Sequence, residues 1–392
     1  MRLANDIPHD HRKNPLVDKK IYSAGPDITQ HEIDIVTDAL KNGWYGKNAY
    51  YYCELFQDEF AKYHNRKYGI MTPNCTTAIH LLLKGLGIEE GDEVLVPECT
   101  WIGSTAGISW LGATPVFCDI EKDSWCLDPD SVLASITPKT KAIITVNLFG
   151  NMSDMKRLEE IADQYNLYLI EDAAESVGST YNGIKSGKFG VGSTFSFHRT
   201  KTMTTGEGGM LLLDDEDLYE RCMFLRDHGR SKEVSYRILE VAHKYMPFNI
   251  QAALGYAQFL RLDELVTKKR EQFNFYKEAL QDLPDIQFNI EPDNVFNSYW
   301  ITAMVIGKKY GLEKLELIKK LEGEGVPTRP FFYPLSEQPA YNQFNLYKNK
   351  NINAYDISSR GINLPGAANL TSDQMGFVCK KIKKVLTREL NK

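Results

Sequence analysis

The segment STFSFHRTKTMTTGEGGM, residues 193–210, decides how the rest of the chain is read. An apolar, β-prone start leads into a polar stretch with one lysine, Lys201, then into glycines and the apolar run 210–213. This pattern predicts two strands joined by an irregular loop that holds the lysine at a strand end. Such a lysine can act as an amine nucleophile toward a carbonyl, although a solvated loop lysine is the commoner explanation. A catalytic role for Lys201 therefore requires a site supplied by the rest of the chain.

Composition and charge argue against several classes of function. The chain has 392 residues, 43% of them hydrophobic, which is enough for a large core in two or three domains or subdomains. Its net charge of −6 includes no long run of one sign, so nucleic acid is not an expected partner. No apolar run approaches the roughly 20 residues that cross a bilayer. The polar start, with both charge signs, does not look like a targeting signal, and we expect no membrane association.

The cysteines indicate a compartment. All seven are scattered, odd in number and without a CxxC pair, which fits neither a disulfide framework nor a zinc site. The common nucleotide-binding glycine loops and the HExxH zinc motif are also missing from the sequence. We therefore expect a cytoplasmic protein without a bound metal.

Strands and helices alternate in the first half of the chain. Predicted strands lie at residues 67–71, 93–97, 114–119, 141–148 and 167–171. Predicted helices lie at residues 28–41, 55–63, 76–87, 102–111, 152–165 and 215–226. Strands that are apolar throughout, with helices between them, predict a largely parallel sheet buried on both faces. Ligands of such sheets bind at the carboxyl ends of the strands.

In the last hundred or so residues the regular alternation of strands and helices ends, which predicts a second, smaller domain. The predicted elements there are a mainly helical stretch at 249–280, a strand at 298–306, helices at 312–324 and 371–386, and a loop at 342–353. We divide the chain into an N-terminal arm, a large domain and a small α+β domain, at residues 1–22, 23–260 and 261–392.

A strand-end carboxylate and an aromatic side chain favour a flat cofactor near Lys201. Asp172 directly follows the strand predicted at 167–171, where it could simply cap the next turn. If it is buried, its carboxylate needs a positive partner, and a protonated ring nitrogen would be one. Trp101 lies between a strand end and the next helix, where it would either join the core or stack on a ring.

The helix predicted at 76–87 offers a phosphate site. Thr76 and Thr77 lie in its first turn, where free backbone N–H groups and the positive helix end attract anions. Hydroxyl residues at a helix start more often serve only as caps, so this signal is weak alone. Ser196 could add one more hydroxyl. Together, a lysine, an aspartate, a phosphate site and a stacking aromatic are the parts that a pyridoxal 5'-phosphate (PLP) site requires.

These residues lie in motifs that resemble the PLP-dependent sugar aminotransferases of the DegT/StrS family, from about residue 23 to the C-terminus. The matching segments are SAGPDIT at 23–29, NGWY at 42–45, NCTTAIHLLL at 74–83, GATPVFCDI at 112–120, EDAAES at 171–176, SFHRTKTMTTGEGG at 196–209, NIQAALGYAQ at 249–258, RPFFYP at 329–334 and GINLP at 361–365. The last two are similar to the perosamine synthase group, which aminates a 4-keto sugar carried on GDP. TWIG, SFHRTK and LRDHGR also resemble relatives that aminate other keto sugars, including the octulosonate type.

The resemblance implies a type I aminotransferase fold, like that of aspartate aminotransferase. This fold has a mainly parallel sheet in a large PLP domain and a smaller α+β C-terminal domain. The resemblance places Lys201 on the lysine that forms the Schiff base and Asp172 on the aspartate at the pyridine nitrogen. Glu175 matches a position near the ring hydroxyl, and Trp101 matches the aromatic that stacks on the ring. The positions that match the family's phosphate contacts are Thr76, Thr77 and Ser196.

The resemblance also implies partners and substrates. The active unit is expected to be a homodimer with shared sites, in which Lys244 reaches the phosphate bound by the neighbouring subunit. L-glutamate is the implied amino donor and a keto sugar, nucleotide-linked in much of the family, the acceptor. The proposed substrate contacts are Trp44, His198, Arg230, Arg329, Phe332 and Tyr333. Residues 329–334 could equally form a packed extended segment without substrate contact.

Other functions stay open at this point. The acceptor could be a keto acid sugar of the octulosonate type or a small phosphorylated ketone. A PLP-dependent sugar dehydratase usually has histidine at the Schiff-base position, whereas this chain has Lys201. A regulatory protein on the same fold would be expected to lack Lys201 or Asp172 or to add a basic DNA-binding domain.

Overall fold

The computed structural model describes residues 20–391, so most of the predicted arm at 1–22 lies outside the described residues. The helices are α1 (Gln30–Asn42), α2 (Tyr51–Tyr63), α3 (Cys75–Gly85), α4 (Gly103–Trp110), α5 (Pro129–Leu133), α6 (Met155–Tyr165), α7 (Glu216–Arg226), α8 (Asn249–Phe259), α9 (Leu262–Leu280), α10 (Lys314–Gly323), α11 (Ile352–Arg360) and α12 (Ser372–Leu390). The strands are β1 (Tyr68–Thr72), β2 (Glu93–Pro97), β3 (Thr114–Cys118), β4 (Thr140–Val146), β5 (Tyr168–Asp172), β6 (Thr180–Tyr181), β7 (Ile184–Lys185), β8 (Gly192–Ser196), β9 (Gly209–Leu213), β10 (Ile286–Phe288), β11 (Val295–Phe296), β12 (Ala303–Ile306), β13 (Arg329–Pro330) and β14 (Gly361–Asn363).

A seven-stranded sheet organises the first half of the described chain. Its strand order is β1-β9-β8-β5-β4-β2-β3. Strands β3, β2, β4, β5 and β8 run parallel to one another, whereas β9 is antiparallel to both β8 and β1. The prediction of a mainly parallel sheet in a type I aminotransferase-like fold is confirmed.

Both faces of this sheet are buried, as the apolar strands predicted. In β4, Ile144 packs into a cluster that includes Leu82 of α3, and its neighbour Ile143 packs into another that includes Leu158 of α6. All four side chains are fully buried. Since successive residues of a strand point to opposite faces, Ile143 and Ile144 of β4 bury apolar side chains on both faces of the sheet.

A second sheet lies in the last third of the chain. Four antiparallel strands in the order β10-β12-β14-β13 pack against helices α9, α10 and α12 through a core that includes Tyr276, Leu317 and Ile382. This is a small α+β unit of the kind predicted, and the boundary between residues 260 and 261 stays a prediction. A third, three-stranded sheet, β11-β6-β7, joins a strand of the late chain to two short strands that follow β5.

The mainly helical stretch predicted at 249–280 is confirmed and consists of two helices separated by a turn at Leu260 and Arg261. Two other predicted elements of the late chain are wrong at least in part. The segment 342–353 is not a loop: a 3₁₀ helix covers Pro339–Asn349, and α11 begins at Ile352.

The predicted strand at 298–306 begins only at Ala303. Before it, Tyr299 has a positive φ of 49°, and its N–H donates to the Asn297 side chain at 2.7 Å. This turn takes the aromatic residues before β12 out of strand geometry.

The described residues contain neither a candidate membrane-spanning helix nor a candidate metal-binding cluster. Between residues 20 and 391, no helix is both long and apolar enough to cross a membrane. The same part of the chain contains no cluster of three or more histidine, cysteine or acidic side chains that could hold a metal ion.

Candidate active site

The carboxyl ends of β5 and β8 and the start of α3 meet at one edge of the sheet. Asp172 ends β5, Ser196 ends β8, and Ser196 pairs with Gly209 of β9. A Cβ atom on Gly209 would lie 2.5 Å from the backbone carbon of Asn74, the residue that caps α3. Glycine at this position therefore lets the first turn of α3 approach the sheet closely.

Asp172 is a buried carboxylate with a full set of donors around it. Its Oδ2 accepts a hydrogen bond from Ser104 Oγ at 2.7 Å, and its Oδ1 accepts one from the Ala174 N–H at 3.1 Å. The Cys75 thiol lies 3.8 Å from the same Oδ1. Burial raises the pKa of Asp172, and the Ser104 hydrogen bond partly offsets that effect. A cation placed against this carboxylate would be strongly favoured.

Lys201 lies in the loop between β8 and β9, as predicted, and its side chain is 13% exposed. Its Nζ atom is 3.0 Å from Glu175 Oε1 and 3.8 Å from the centre of the Trp300 ring. Its backbone N–H donates to the His198 carbonyl at 2.9 Å. The amine is thus held by one carboxylate and one aromatic face.

Glu175 is itself fixed from the other side. Its Oε2 accepts a hydrogen bond from the Phe149 N–H at 2.9 Å. Phe149 has a φ of +55°, a conformation that non-glycine residues rarely adopt and that often occurs next to functional sites. Glu175 thus connects the amine of Lys201 to the loop after β4.

The start of α3 carries the residues predicted to bind a phosphate, and it is capped by Asn74. Asn74 caps the helix by accepting a hydrogen bond from the Thr77 N–H at 2.9 Å, and the Thr77 hydroxyl donates to the Asn74 carbonyl at 2.8 Å. A Cβ atom on Gly103 would lie 2.8 Å from Thr76 Oγ1 and 3.1 Å from Trp101 Cδ1. Gly103 therefore lies between the predicted phosphate contact and the predicted ring contact.

Aromatic side chains form a wall beside Lys201. Trp101, 64% exposed, lies 6.3 Å from Phe332, and Phe332 stacks on Phe149 at 5.7 Å with an angle of 13° between the rings. Phe149 lies 6.2 Å from Trp300, whose ring faces the Lys201 amine. Of the residues predicted from RPFFYP, Phe332 therefore lies in this wall, and its contact with a substrate stays a prediction.

Arg329 is a partly buried cation with two unpaired nitrogen atoms in the described part of the chain. Its Nε and Nη2 atoms are buried and make no hydrogen bond within the described part of the chain. The guanidinium lies 5.8 Å from the Trp300 ring. Burial lowers the pKa of Arg329, and the charge of Glu175 partly offsets that effect. A guanidinium in this state favours an anionic ligand.

Two further predicted residues adjoin the site. His198 accepts from the Lys201 N–H through its carbonyl, and its Nδ1 is 2.9 Å from the Thr200 hydroxyl. Burial lowers the pKa of His198, and the charge of Glu207, 3.5 Å away, partly offsets that effect. Tyr333 follows Phe332 and lies under the ammonium of Lys314 at 3.5 Å.

Three predicted residues make their contacts elsewhere in the chain. The Trp44 indole is 57% exposed and donates to the Leu40 carbonyl at 2.7 Å. Lys244 and Arg230 both pair with Asp227, at 2.7 and 3.3 Å. Their roles toward cofactor or substrate stay predictions.

Sequence reasoning missed two residues that touch the site. Ser104, in the TWIGST motif, donates to Asp172. Its position in the first turn of the helix after β2 was the only available signal. Trp300 was assigned to a strand, although it faces Lys201 and its Nε1 donates to the Thr200 carbonyl at 2.7 Å.

The residues around Lys201 fit PLP. The set contains an amine, a buried carboxylate for a ring nitrogen, an exposed aromatic ring and a helix start with hydroxyl side chains. Comparison with protein families agrees with this. Residues 26–383 match the model of the DegT/DnrJ/EryC1/StrS aminotransferase family, and the chain belongs to that family.

The relatives support the same class of enzyme. The chain is 38% identical over 357 residues to GDP-perosamine synthase of Escherichia coli O157:H7, covering 91% of this chain and 96% of that protein. It is 36% identical over 358 residues to GDP-perosamine synthase of Vibrio cholerae, covering 91% and 97%.

Among solved structures, the chain resembles a Streptococcus pneumoniae protein assigned as a sugar aminotransferase. Its PMP form matches with a TM-score of 0.88 and 27% identity, covering 95% of this chain and 99% of that one. The same protein has also been solved in a PLP form, which matches with a TM-score of 0.87. The chain is therefore a PLP-dependent aminotransferase.

Proposed function

We propose that the protein moves the amino group of L-glutamate onto a nucleotide-linked keto sugar, of the GDP-4-keto-6-deoxy class, in the biosynthesis of an amino sugar for surface polysaccharide. The observation that carries this proposal is the placement of Lys201 beside Glu175 and near buried Asp172, in a chain similar over nine tenths of its length to GDP-perosamine synthases. The PLP-dependent amino transfer belongs to the family, whereas the donor and the sugar are the proposed part.

The chain's own residues divide the work. When bound, PLP supplies an aldehyde carbon for the amine and a ring that accepts electrons. Asp172 would keep a proton on the ring nitrogen, because its buried charge favours a positive partner. The first turn of α3 and Ser196 would hold the phosphate. Lys201 moves the Cα proton of the donor, and Glu175 orients its amine.

Arg329 is the proposed receptor for a carboxylate of L-glutamate. Its Nε and Nη2 atoms are buried and make no hydrogen bond in the described part of the chain, and the guanidinium lies 5.8 Å from the ring of Trp300, which also faces the Lys201 amine. A planar guanidinium binds a carboxylate with two parallel hydrogen bonds, and this geometry would place the donor beside Lys201.

The active unit is proposed to be a homodimer in the cytoplasm, with Lys244 at the phosphate of the neighbouring subunit. The segment before Lys244 supports an interface, because it exposes apolar side chains at Tyr236 and Val241, which are 100% and 90% exposed. Phe248, just after it, is 59% exposed. All seven cysteines are free thiols, which suits a reducing compartment.

The absorbance spectrum of the purified protein tests the donor step. We expect the band of the bound aldehyde to convert to that of the amine form when L-glutamate is added. Lys201→Ala should abolish the lysine-linked band. Lys156→Ala, at an exposed lysine, should give the same spectra as the parent protein before and after L-glutamate is added. An unchanged spectrum in Lys201→Ala, or no bound chromophore after addition of PLP, would contradict the proposal. A panel of keto sugars, including an octulosonate and a small phosphorylated ketone, then identifies the acceptor.

A further inference from the structure

A buried lysine lies beneath the aromatic wall and has no role in the chemistry described above. Lys314 is the first residue of α10, and the residue is 5% exposed. A positive side chain at a helix N-terminus is opposed by the helix dipole, and removal of an ammonium from water is costly. The contacts of the ammonium must therefore offset both the unfavourable helix dipole and the loss of hydration.

Those contacts converge on residues 331–333, of which Phe332 is part of the aromatic wall. The Lys314 ammonium donates to the Phe331 carbonyl at 3.2 Å and to Ser358 Oγ at 2.9 Å. Ser358 in turn donates to the Phe332 carbonyl at 2.7 Å. The ammonium also lies 3.5 Å from the centre of the Tyr333 ring, well within the range of a cation–π contact. One charge therefore fixes residues 331–333.

The fixed segment leads directly to the reacting amine. The Phe332 ring stacks on Phe149, and the Phe149 N–H holds Glu175, which holds Lys201. The opposite edge of Phe332 faces Trp101. A shift of the 331–333 backbone would thus alter the wall that faces a bound sugar, while the cofactor contacts at α3 and Asp172 lie on other elements.

We propose that Lys314 is a positioning residue for the acceptor sugar: its charge holds Phe332 and Tyr333 in the orientation that receives the acceptor. The donor step depends on this charge less, because Lys314 reaches Lys201 only through Phe332, Phe149 and Glu175. This inference rests on the proposed function, because it takes the second substrate to be a sugar bound against the aromatic wall. It assigns specificity to a side chain that does not touch the substrate.

The charge of Lys314 is labile near neutral pH. Burial lowers its pKa to about 8, and the nearby Cys99, Glu337 and Glu313 act in the opposite direction. The ammonium is present below that pH and is lost as the pH rises through it. A neutral amine makes no cation–π contact and is a weaker donor, so acceptor binding should weaken between pH 7 and pH 9.

The test uses the full-length protein loaded with PLP and separates the two half-reactions by absorbance. The variants are Lys314→Met, which removes the charge and the donor, and Lys314→Gln, which keeps a neutral donor. Lys319→Met, at an exposed lysine of the same helix, is the matched control. Each variant is first compared with the parent by circular dichroism. The probes are L-glutamate for the donor step and a GDP-4-keto-6-deoxyhexose for the acceptor step.

We expect Lys314→Met to raise the KM of the acceptor step by about tenfold, the loss of roughly one charge-assisted hydrogen bond. The donor step should stay within about twofold of the parent, and Lys319→Met should change neither step. The acceptor KM of the parent should rise between pH 7 and pH 9, while that of Lys314→Gln stays flat. An unchanged acceptor KM, or an equal loss in both steps, would overturn the inference.

A second measurement keeps the inference testable if the sugar proves wrong. If the parent protein converts no GDP-linked sugar, the proposed function fails on that result alone. The rate at which the Cys99 thiol is labelled then reports how firmly the wall is held. Cys99 is 1% exposed, and its Sγ atom lies 3.4 Å from the Ala354 carbonyl and 3.8 Å from the Phe332 carbonyl. Faster labelling of Cys99 by a thiol reagent in Lys314→Met than in Lys319→Met supports a wall held by Lys314. Equal labelling overturns it.

Discussion

At the scale of single residues, the site depends on how a buried carboxylate is kept ready for a cation. Asp172 is 3% exposed, and its oxygens accept from Ser104 and from the backbone of Ala174. These bonds stabilise the ionised form in a place where burial alone favours the protonated form. The Ser104 hydroxyl is thus part of the proton balance at the ring nitrogen, although it was not predicted from the sequence.

Replacement of Ser104 tests that role. We expect Ser104→Ala to raise the pKa of Asp172 further and to lower the rate of both half-reactions by about tenfold, since a hydrogen bond to a charged group is lost. Single-turnover absorbance measurements give both rates. Ser109→Ala, on the same helix and bonded to Tyr341 instead, is the control and should behave as the parent. Parent-like rates in Ser104→Ala would exclude the role.

Replacement of Arg329 tests the proposed carboxylate receptor. Arg329→Gln should raise the L-glutamate concentration needed for half-maximal rate by about tenfold to a hundredfold, because a charge-assisted pair is lost. The acceptor step should change much less. Arg199→Gln, at an exposed arginine of the Lys201 loop, is the control. A variant in which only the acceptor step weakens would show that Arg329 binds the sugar nucleotide rather than the donor.

At the scale of elements, a buried ion pair joins the start of the chain to α9. The Glu32 side chain is 1% exposed, and its Oε1 lies 2.6 Å from Nη1 of Arg261, the residue that caps α9. Burial alone would raise the pKa of Glu32, but hydrogen bonds from Thr29 and Arg261 outweigh that effect and lower it to about 2. The capping box of α1, formed by Thr29 and Glu32, therefore also anchors a helix more than 200 residues away.

Removal of Arg261 should destabilise the fold strongly. Arg261→Met leaves Glu32 buried without its charge partner, and we expect a loss of about 3–5 kcal/mol in the free energy of unfolding by urea. Lys268→Met, at a more exposed cation of the same helix that pairs with Asp27, should cost about 1 kcal/mol or less. Because the folded pKa of Glu32 lies below the usual value, its contribution is present above about pH 4.5 and disappears toward pH 2. Equal costs for the two variants at pH 7 would contradict this account.

The elements differ in how well their sequences predicted them. The alternation of apolar strands and helices predicted β2 with its observed limits, Glu93–Pro97. The prediction succeeds because a strand buried on both faces of the sheet reads as a continuous apolar run. The run at 298–306 is equally apolar, but hydrogen bonds around Asn297 and the positive φ of Tyr299 turn the chain before Ala303. The Asn297–Tyr299 hydrogen bond is local, but it depends on a backbone conformation that the pattern of apolar residues does not record.

The same division holds within the site. Lys201 and Asp172 were predicted because the sequence places them at strand ends and in family motifs. In the structure, Asp172 is the last residue of β5 and Lys201 lies in the loop after β8. Trp300 lies nearly 100 residues further along the chain and reaches Lys201 only through packing between the two sheets' ends. A single sequence carries no signal for such a contact.

At the scale of the whole molecule, two buried histidines contribute to the response of the fold to acid. His64 is fully buried among aromatic rings, and burial lowers its pKa to about 3. His80, 3% exposed in α3, has a pKa lowered to about 4, also by burial. Both are neutral in the folded protein at pH 6, whereas in the unfolded chain they gain protons near pH 6.5.

The fold should therefore weaken as the pH falls below about 6.5. Between that value and about pH 4 the unfolded chain binds more protons, so each histidine removes roughly 1.4 kcal/mol of stability for every pH unit. Thermal unfolding across this range measures the slope. His80→Gln should make the slope shallower, and His31→Gln, at an exposed histidine, should not. A slope that is the same in all three proteins would contradict the assignment.

The most direct test of the central claim follows the amino nitrogen itself. The protein is loaded with PLP and given ¹⁵N-labelled L-glutamate and a GDP-4-keto-6-deoxyhexose, and the sugar product is analysed by mass spectrometry. The account predicts an amino sugar that carries the label, formed together with an equal amount of 2-oxoglutarate and absent with Lys201→Ala. A sugar that is recovered unchanged, or that loses water without gaining the label, would contradict it.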